Sequence, residues 1–340
     1  MTPLKDILSS CLENSSVPSL GAAILLDGKL FDLNVVGIRK RGEDIQVQPT
    51  DKYHLGYCGM AMTATLVARL VDRGKLTWDA RVTEILSHLV IHPDYEAVTL
   101  KQLLNHNAGW LPPIDENLWQ HLGNESATQQ RLDLVKNILK RPFIHQSEYG
   151  FEYGDPNYLL VGVILETVTG QSFEDLLVEE LFKPLGMSTA GFGAPAKSSK
   201  IDQPFGHNPD PVDPLFYGDD PKALSPVGIT HCSLEDWANF ARLHLTKQPK
   251  HFIAAESFAQ LHSTSEDIGH GMGWAINKNH PKAGRVLWLG SGNTMFFAMI
   301  CLYPELKASL MVVTNIGGQT GEEACLTTML QLERHYLDLG

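Results

Sequence analysis

The sequence predicts an α+β fold: an antiparallel sheet made from both ends of the chain, faced by the first and last helices, with a large helical insertion between them. Three observations predict it. Strand-like segments concentrate near residues 19–38 and again after about residue 266. Helix-period apolar spacing fills most of the middle. Each terminus carries an amphipathic helical segment of its own. Strands at both ends around a helical middle imply a single unit, 1–340, with a discontinuous sheet lobe (1–58 plus 266–340) and a helical lobe (59–265). A ligand cleft is then expected between the lobes.

Taken in order, "TPLKDILSSCLEN" places Leu4, Ile7, Leu8 and Leu12 on one helical face. "LGAAILLDGKLFDLNVVGIR" reads as two strands about the turn Asp27-Gly28, a strong hairpin signal. From Gly59 the apolar residues Met60, Ala64, Val67, Leu70 and Val71 recur at helix period, and Gly74 stops them. Further helices are predicted in "LVKNILKRP", "PNYLLVGVILETVTGQSFEDLLVEELFKPLG" and "SLEDWANFARLHL", the last with Ser233 as N-cap. "GRVLWLG", "TMFFAMICLYP" and "KASLMVVTN" return to strand, and "GEEACLTTMLQLERHYLDL" closes with a helix. The stretch from His207 to Pro226 is rich in proline and aspartate and is the best candidate for a long loop over the cleft mouth.

Composition narrows the function. Apolar residues make up 43% and charged residues 19%, ordinary for a globular protein. Lys plus Arg number 27 against 39 acidic residues, a net charge of −12, so a nucleic-acid partner is not expected. The N-terminal segment lacks the pattern of a secretory signal, and no apolar run is long enough to span a bilayer, so no membrane partner is expected. Five scattered cysteines at 11, 58, 232, 301 and 325 suggest reduced thiols and a cytoplasmic setting. His88 and His92 stand four apart, but Pro93 breaks any helix there and no third ligand follows at a useful spacing. The glycine patterns "GFGAP" and "GHGMG" lack the strand and helix that a nucleotide site needs. Neither a metal nor a cofactor is expected.

The turn into the long helix, "HLGYCGMAMTATLVARLVDRGKL", poses the functional question. With "VPSLGAAILLDGKL", "VTLKQLLNHNAGW", "FEYGDPNYLLVGVILETVTGQSF", "LFKPLGMSTAGFG", "SPVGITHCSLEDWANFARL", "HGMGWAI" and "YPELKASLMVVTN", it resembles the serine β-lactamase and penicillin-binding-protein-like superfamily. The branch it is most similar to holds class C β-lactamases, esterases and D-aminopeptidases. Eight strings in the family's order run nearly end to end. The resemblance implies a β-lactamase/transpeptidase-like fold. It also implies chemistry carried by S-x-x-K, Y-x-N and K-T-G or H-x-G: a serine nucleophile, its lysine base, a proton-relaying tyrosine and an oxyanion hole of backbone N–H groups.

Most of that apparatus is missing. The first motif reads Tyr57-Cys58-Gly59-Met60, the second Tyr153-Gly154-Asp155, and the third, counted back from "YPE", Leu289-Gly290-Ser291. No serine anywhere has a lysine three residues on. An ordinary phenol is only about 0.1% ionised at pH 7, and Met60 has no basic atom to assist one. In another serine hydrolase, loss of the nucleophile costs roughly 10⁶ in turnover. Cys58 lies one residue past the serine position, so its side chain points about 100° away.

Three readings stay open at this point. In the first, Tyr57, Met60 and Leu289 fill the old serine–lysine cavity and leave a remodelled binding or scaffolding cleft. In the second, Tyr57, Tyr153 and Asp155 form a rebuilt proton-transfer set, as in an isomerase, lyase or unusual hydrolase. The third is a residual esterase or amidase. By the family's geometry the oxyanion donors are the N–H groups of Tyr57 and Gly292, with Ser291, Asn293 and Thr294 adding polar contacts. His106 supports the loop under the cleft, and His270 approaches its wall. Trp110, Phe151, Tyr217 and Trp288 favour an apolar or aromatic ligand. A carboxylate or acyl compound is the other expected partner class.

Overall fold

The computed structural model describes residues 3–120, 122–144, 151–216, 221–247, 249, 252–264 and 268–339. Helix α1 (Pro3–Glu13) leads into β1 (Ser19–Leu26) and β2 (Lys29–Gly37). The turn between them has Asp27 at φ 49° and Gly28 at φ 68°, both left-handed, as a two-residue hairpin requires. β3 (Lys52–His54) precedes α2 (Gly59–Asp72), and then come α3 (Ala127–Leu139) and α4 (Asp155–Thr169). β4 (Gly191–Phe192), β5 (Thr230–Ser233) and α5 (Leu234–Thr246) follow. The C-terminal part holds β6 (Ile268–Gly271), β7 (Trp274–His280), β8 (Gly284–Gly292), β9 (Phe297–Tyr303), β10 (Ala308–Thr314) and α6 (Gly318–Tyr336).

Among the described residues the main sheet has seven antiparallel strands in the order β2-β1-β10-β9-β8-β7-β6. β1 pairs with β10, so the chain ends close on each other as expected. Period-two alternation divides the sheet's faces. Leu20, Ala22 and Ile24 pack with Leu4 and Leu8 of α1 and with Met329 and Leu332 of α6. Ala23, Leu25, Leu287, Ala298 and Ile300 face the larger core shared with α2, α4 and α5. This is the β-lactamase/transpeptidase-like arrangement.

Helix α2 buries most of its length, which fits its alanine-rich, almost uncharged sequence. α4 is apolar all round from Tyr158 to Leu165 and is accordingly a core helix. Ser233 caps α5 by accepting from the Asp236 N–H, as its sequence predicts. Buried Arg131 of α3 pairs with Glu166 of α4 and with Glu174, and donates to the Ala223 carbonyl. That network ties α3 and α4 to the turn at 222–224.

A second sheet, β3-β5-β4, has no counterpart in the sequence reading. Its strands are two to four residues long, too short for alternation to register. It aims the chain into the site: β3 ends at His54, whose Nδ1 accepts from the Gly56 N–H 3.1 Å away.

Candidate functional site

The turn from β3 into α2 is set by close backbone packing. Gly56 sits at φ 53°, and a Cβ on it would lie 2.9 Å from the Gly292 Cα. A Cβ on Gly228 would lie 2.6 Å from the Gly56 carbonyl oxygen and 2.9 Å from the Tyr57 nitrogen. Three segments thus meet where no side chain fits, and Tyr57 is held at the start of α2.

At that position the Tyr57 N–H donates to Ser291 Oγ at 3.2 Å. One of the two expected oxyanion donors therefore has an acceptor from within the chain. The Tyr57 hydroxyl donates to Asp155 Oδ2 at 3.3 Å. The Tyr153 hydroxyl donates to Met60 Sδ at 3.4 Å, and the two tyrosine rings lie 6.1 Å apart. Tyr57, Tyr153, Asp155 and Met60 are thus one cluster. Burial, reinforced by Tyr57, Tyr158 and Asp155, pushes the Tyr153 phenol far above its usual value. It holds its proton at neutral pH. Burial also raises the Asp155 carboxyl, against the lowering effect of the Tyr57 hydroxyl.

His106 lies beneath this cluster at φ 54°. Its carbonyl accepts from the Glu152 N–H at 2.7 Å, its Nδ1 faces the Gly154 N–H at 3.4 Å, and its ring lies 4.5 Å from that of Tyr153. It supports the 151–154 loop, and burial lowers its pKa to about 3. His270 reaches the same wall by stacking on Phe151, with centroids 4.5 Å apart.

Tyr57 lines two hollows. One, of about 420 Å³, is bounded by Tyr57, Trp110, Ile114, Glu152, Tyr153, Asp155 and Asn157. The other, of about 890 Å³, is bounded by Tyr57, Leu224, Gly292, Asn293, Thr294, Glu322 and Leu326 among others. Both fall within or near the roughly 300–1,000 Å³ usual for small-molecule sites. Among the described residues Tyr57 is the one lining residue they share.

Leu289 packs into the larger core together with Met60 and Tyr57, and lines neither hollow. Other expectations need correction. Trp288 pairs with Cys301 on the α6 side of the sheet, because strand neighbours point to opposite faces and Ser291 faces Tyr57. It lines neither hollow. Asn293 lines the larger hollow, but its Oδ1 accepts from the Met295 and Phe296 N–H groups. The start of the 207–226 segment is not a free loop: buried His207 holds the Asn315 carbonyl at 2.7 Å. Its end brings Leu224 to the larger hollow, while Tyr217 lies outside the described residues. His92 caps Asp94, and no metal-binding group occurs among the described residues.

Cys58 is buried, with Sγ 3.7 Å from the Ala298 carbonyl, and burial pushes its thiol far up. It faces the sheet rather than the cleft. Glu152 and Asn157 were not singled out in sequence. Asn157 follows Asp155 in a helix-start "DPN", and its Nδ2 donates to the Gly154 carbonyl at 3.3 Å. No motif or spacing in the sequence marks it as lining a hollow.

The sequence model of the family described as Beta-lactamase matches residues 4–332. The chain is 23% identical over 326 residues to Protein flp of Staphylococcus aureus, covering 93% of this chain and 63% of the relative. It is 28% identical over 236 residues to penicillin-binding protein 4 of Amycolatopsis lactamdurans, covering 67% of this chain and 60% of that protein. The chain therefore spans less than two thirds of the length of either. Among solved structures, the octameric penicillin-binding protein homologue of Pyrococcus abyssi superposes at TM-score 0.79 with 21% identity, over 97% of this chain and 76% of that one. SurE, solved with D-Leu, superposes at 0.80 with 18% identity, over 99% and 76%. A full-length family match together with this sheet order and this helix-start turn has one meaning: the chain belongs to the β-lactamase family.

Proposed function

We propose that this protein binds a small molecule in the cleft beside Tyr57 and does not perform the family's acyl transfer. One observation carries the reading. Where a nucleophile, a base and a vacant oxyanion donor are required, there stand a phenol bonded to Asp155, the thioether of Met60, and an amide bonded to Ser291. Acyl transfer needs a group that attacks and a group that accepts its proton. Met60 does neither, and Tyr153 keeps its own proton. The two hollows supply the binding volume. The D-Leu bound to SurE supports a small-molecule cleft on this fold. The five unpaired cysteines support a reducing, cytoplasmic setting.

The test is labelling by a fluorophosphonate probe together with turnover of p-nitrophenyl acetate. The expected results are no adduct at Tyr57 and an ester rate unchanged in Tyr57→Phe. Tyr57→Ser is expected to show no acylation burst, since no base is restored. An adduct at residue 57, or turnover lost in Tyr57→Phe, would overturn the reading.

A second reading, proton-transfer chemistry through Tyr57 and Asp155, is favoured by their 3.3 Å contact. It requires Tyr153 as a partner, yet the Tyr153 hydroxyl is bonded to Met60. If a turnover is found, loss in Tyr57→Phe with retention in Tyr153→Phe identifies the two-residue version.

A further inference from the structure

We propose that Ser291 sets the ligand specificity of the cleft by acting as an internal ligand. Its hydroxyl takes the place at the Tyr57 amide that a ligand's carbonyl oxygen would otherwise fill. This deepens the binding reading above and rests on it.

The hydroxyl is held there from both sides. The Tyr57 N–H donates to Ser291 Oγ at 3.2 Å, and the hydroxyl's own proton faces the Gly292 carbonyl at 3.4 Å. On the strand side, Ser291 is in register with Ala298 of β9, and a Cβ on Gly292 would lie 1.9 Å from the Phe296 carbonyl oxygen. The Asn293 Oδ1 locks the turn that follows by accepting from the Met295 and Phe296 N–H groups. On the helix side, Gly56 and Gly228 pack backbone to backbone and fix the Tyr57 amide. Neither partner of the bond can turn away without moving this junction.

Packing alone does not call for a hydroxyl at 291. A Cβ on Gly290 would meet nothing nearer than 3.7 Å, so the strand has room for a side chain one residue earlier, on the opposite face. Residue 291 is instead the position that is glycine in the K-T-G motif, and here it carries the one polar atom that reaches the amide. An oxygen held by that amide would lie about 2.7–3.1 Å from the nitrogen, where the serine oxygen already stands. A ligand carbonyl must therefore displace the hydroxyl, and it exchanges one acceptor for another with little net gain. Ligands without a carbonyl at this point lose nothing. The larger hollow, lined by Gly56, Tyr57 and Gly292, opens beside this bond.

The experiment uses the intact protein with ¹⁵N-tyrosine, the Tyr57 amide signal being identified by its absence in Tyr57→Phe. Phenylacetamide, phenylacetate and toluene are titrated into wild type, Ser291→Ala and Ser291→Gly. In both variants phenylacetamide is expected to move the Tyr57 amide proton downfield and to bind roughly three- to tenfold more tightly than in wild type, the worth of one recovered hydrogen bond. Phenylacetate is expected to gain less, because the Asp155 carboxyl stands beside Tyr57. Toluene, which has no acceptor, is expected to bind all three proteins alike. A merely structural serine would give weaker binding or a uniform change. Equal affinity of phenylacetamide for wild type and both variants overturns the proposal, as does an equal gain for toluene. A downfield shift of the wild-type Tyr57 amide with phenylacetamide also overturns it, whether or not a variant folds. A fluorophosphonate adduct at Tyr57 would sink the non-hydrolytic reading and leave the comparison of variants intact, so the two failures are distinguishable.

Discussion

Acid should unfold this protein well before its carboxylates are protonated, and buried histidines are the reason. His54, His106, His207 and His231 are buried, and burial lowers their pKa values to about 3, 3, 4 and 4. In the unfolded chain each returns to about 6.5. Between those values the unfolded state binds protons that the folded state refuses, so stability falls as pH drops below about 6.5. At pH 5 each such histidine removes about 2 kcal/mol, and the four together about 8 kcal/mol. That is comparable with the whole stability of a typical domain, about 5–15 kcal/mol. The buried pair His244 and His262, with nitrogens 2.9 Å apart, acts in the same direction. Asp155, whose carboxyl is raised, opposes the trend weakly. The assay is urea denaturation at pH 8, 6.5, 5.5 and 5, followed by circular dichroism. The midpoint should be highest at pH 8 and fall steeply below pH 6.5, with an uptake of at least four protons on unfolding at pH 5. Equal midpoints at pH 8 and pH 5 would refute the reasoning.

Three further outcomes are expected. Gly228→Ala drives a methyl group against the Gly56 carbonyl and the Tyr57 nitrogen, and should cost about 1–3 kcal/mol by thermal unfolding; a neutral result would mean that this junction is loosely packed. Arg131→Ala leaves Glu166 and Glu174 without their buried partner and should cost about 3–5 kcal/mol, whereas a surface change such as Lys183→Ala should stay within about 0.5 kcal/mol. Iodoacetamide at pH 8 should label half-exposed Cys11 in the native protein and spare Cys58, with all five thiols labelled after denaturation; native labelling of Cys58, read by mass spectrometry, would reopen it as a nucleophile.

The fold was legible because its signals are local and strung in order. The Asp27-Gly28 turn, the Gly74 stop and the Ser233 cap each act within a few residues, and each stands where the sequence put it. The departures from the family's motifs were legible for the same reason, since Tyr57-Cys58-Gly59-Met60 and Tyr153-Gly154-Asp155 are short local strings. Contacts across the fold were not. That Ser291 faces the Tyr57 amide depends on the β8–β9 register and on three glycines meeting at one point, which no single segment encodes. Trp288 was misplaced because the face of a strand residue turns on parity, and one position decides it.

A site that had simply decayed would look different from this one. Losing serine, lysine and the strand cation removes three polar groups from a half-buried cleft, and random replacement leaves orphaned partners at about 1–3 kcal/mol each. Here the new side chains are bonded within the cleft: Tyr57 to Asp155, Met60 to the retained Tyr153, and Ser291 to the Tyr57 amide. Consistency among neighbouring substitutions indicates a cleft kept under constraint, because packing alone would have been met by apolar groups without these pairings.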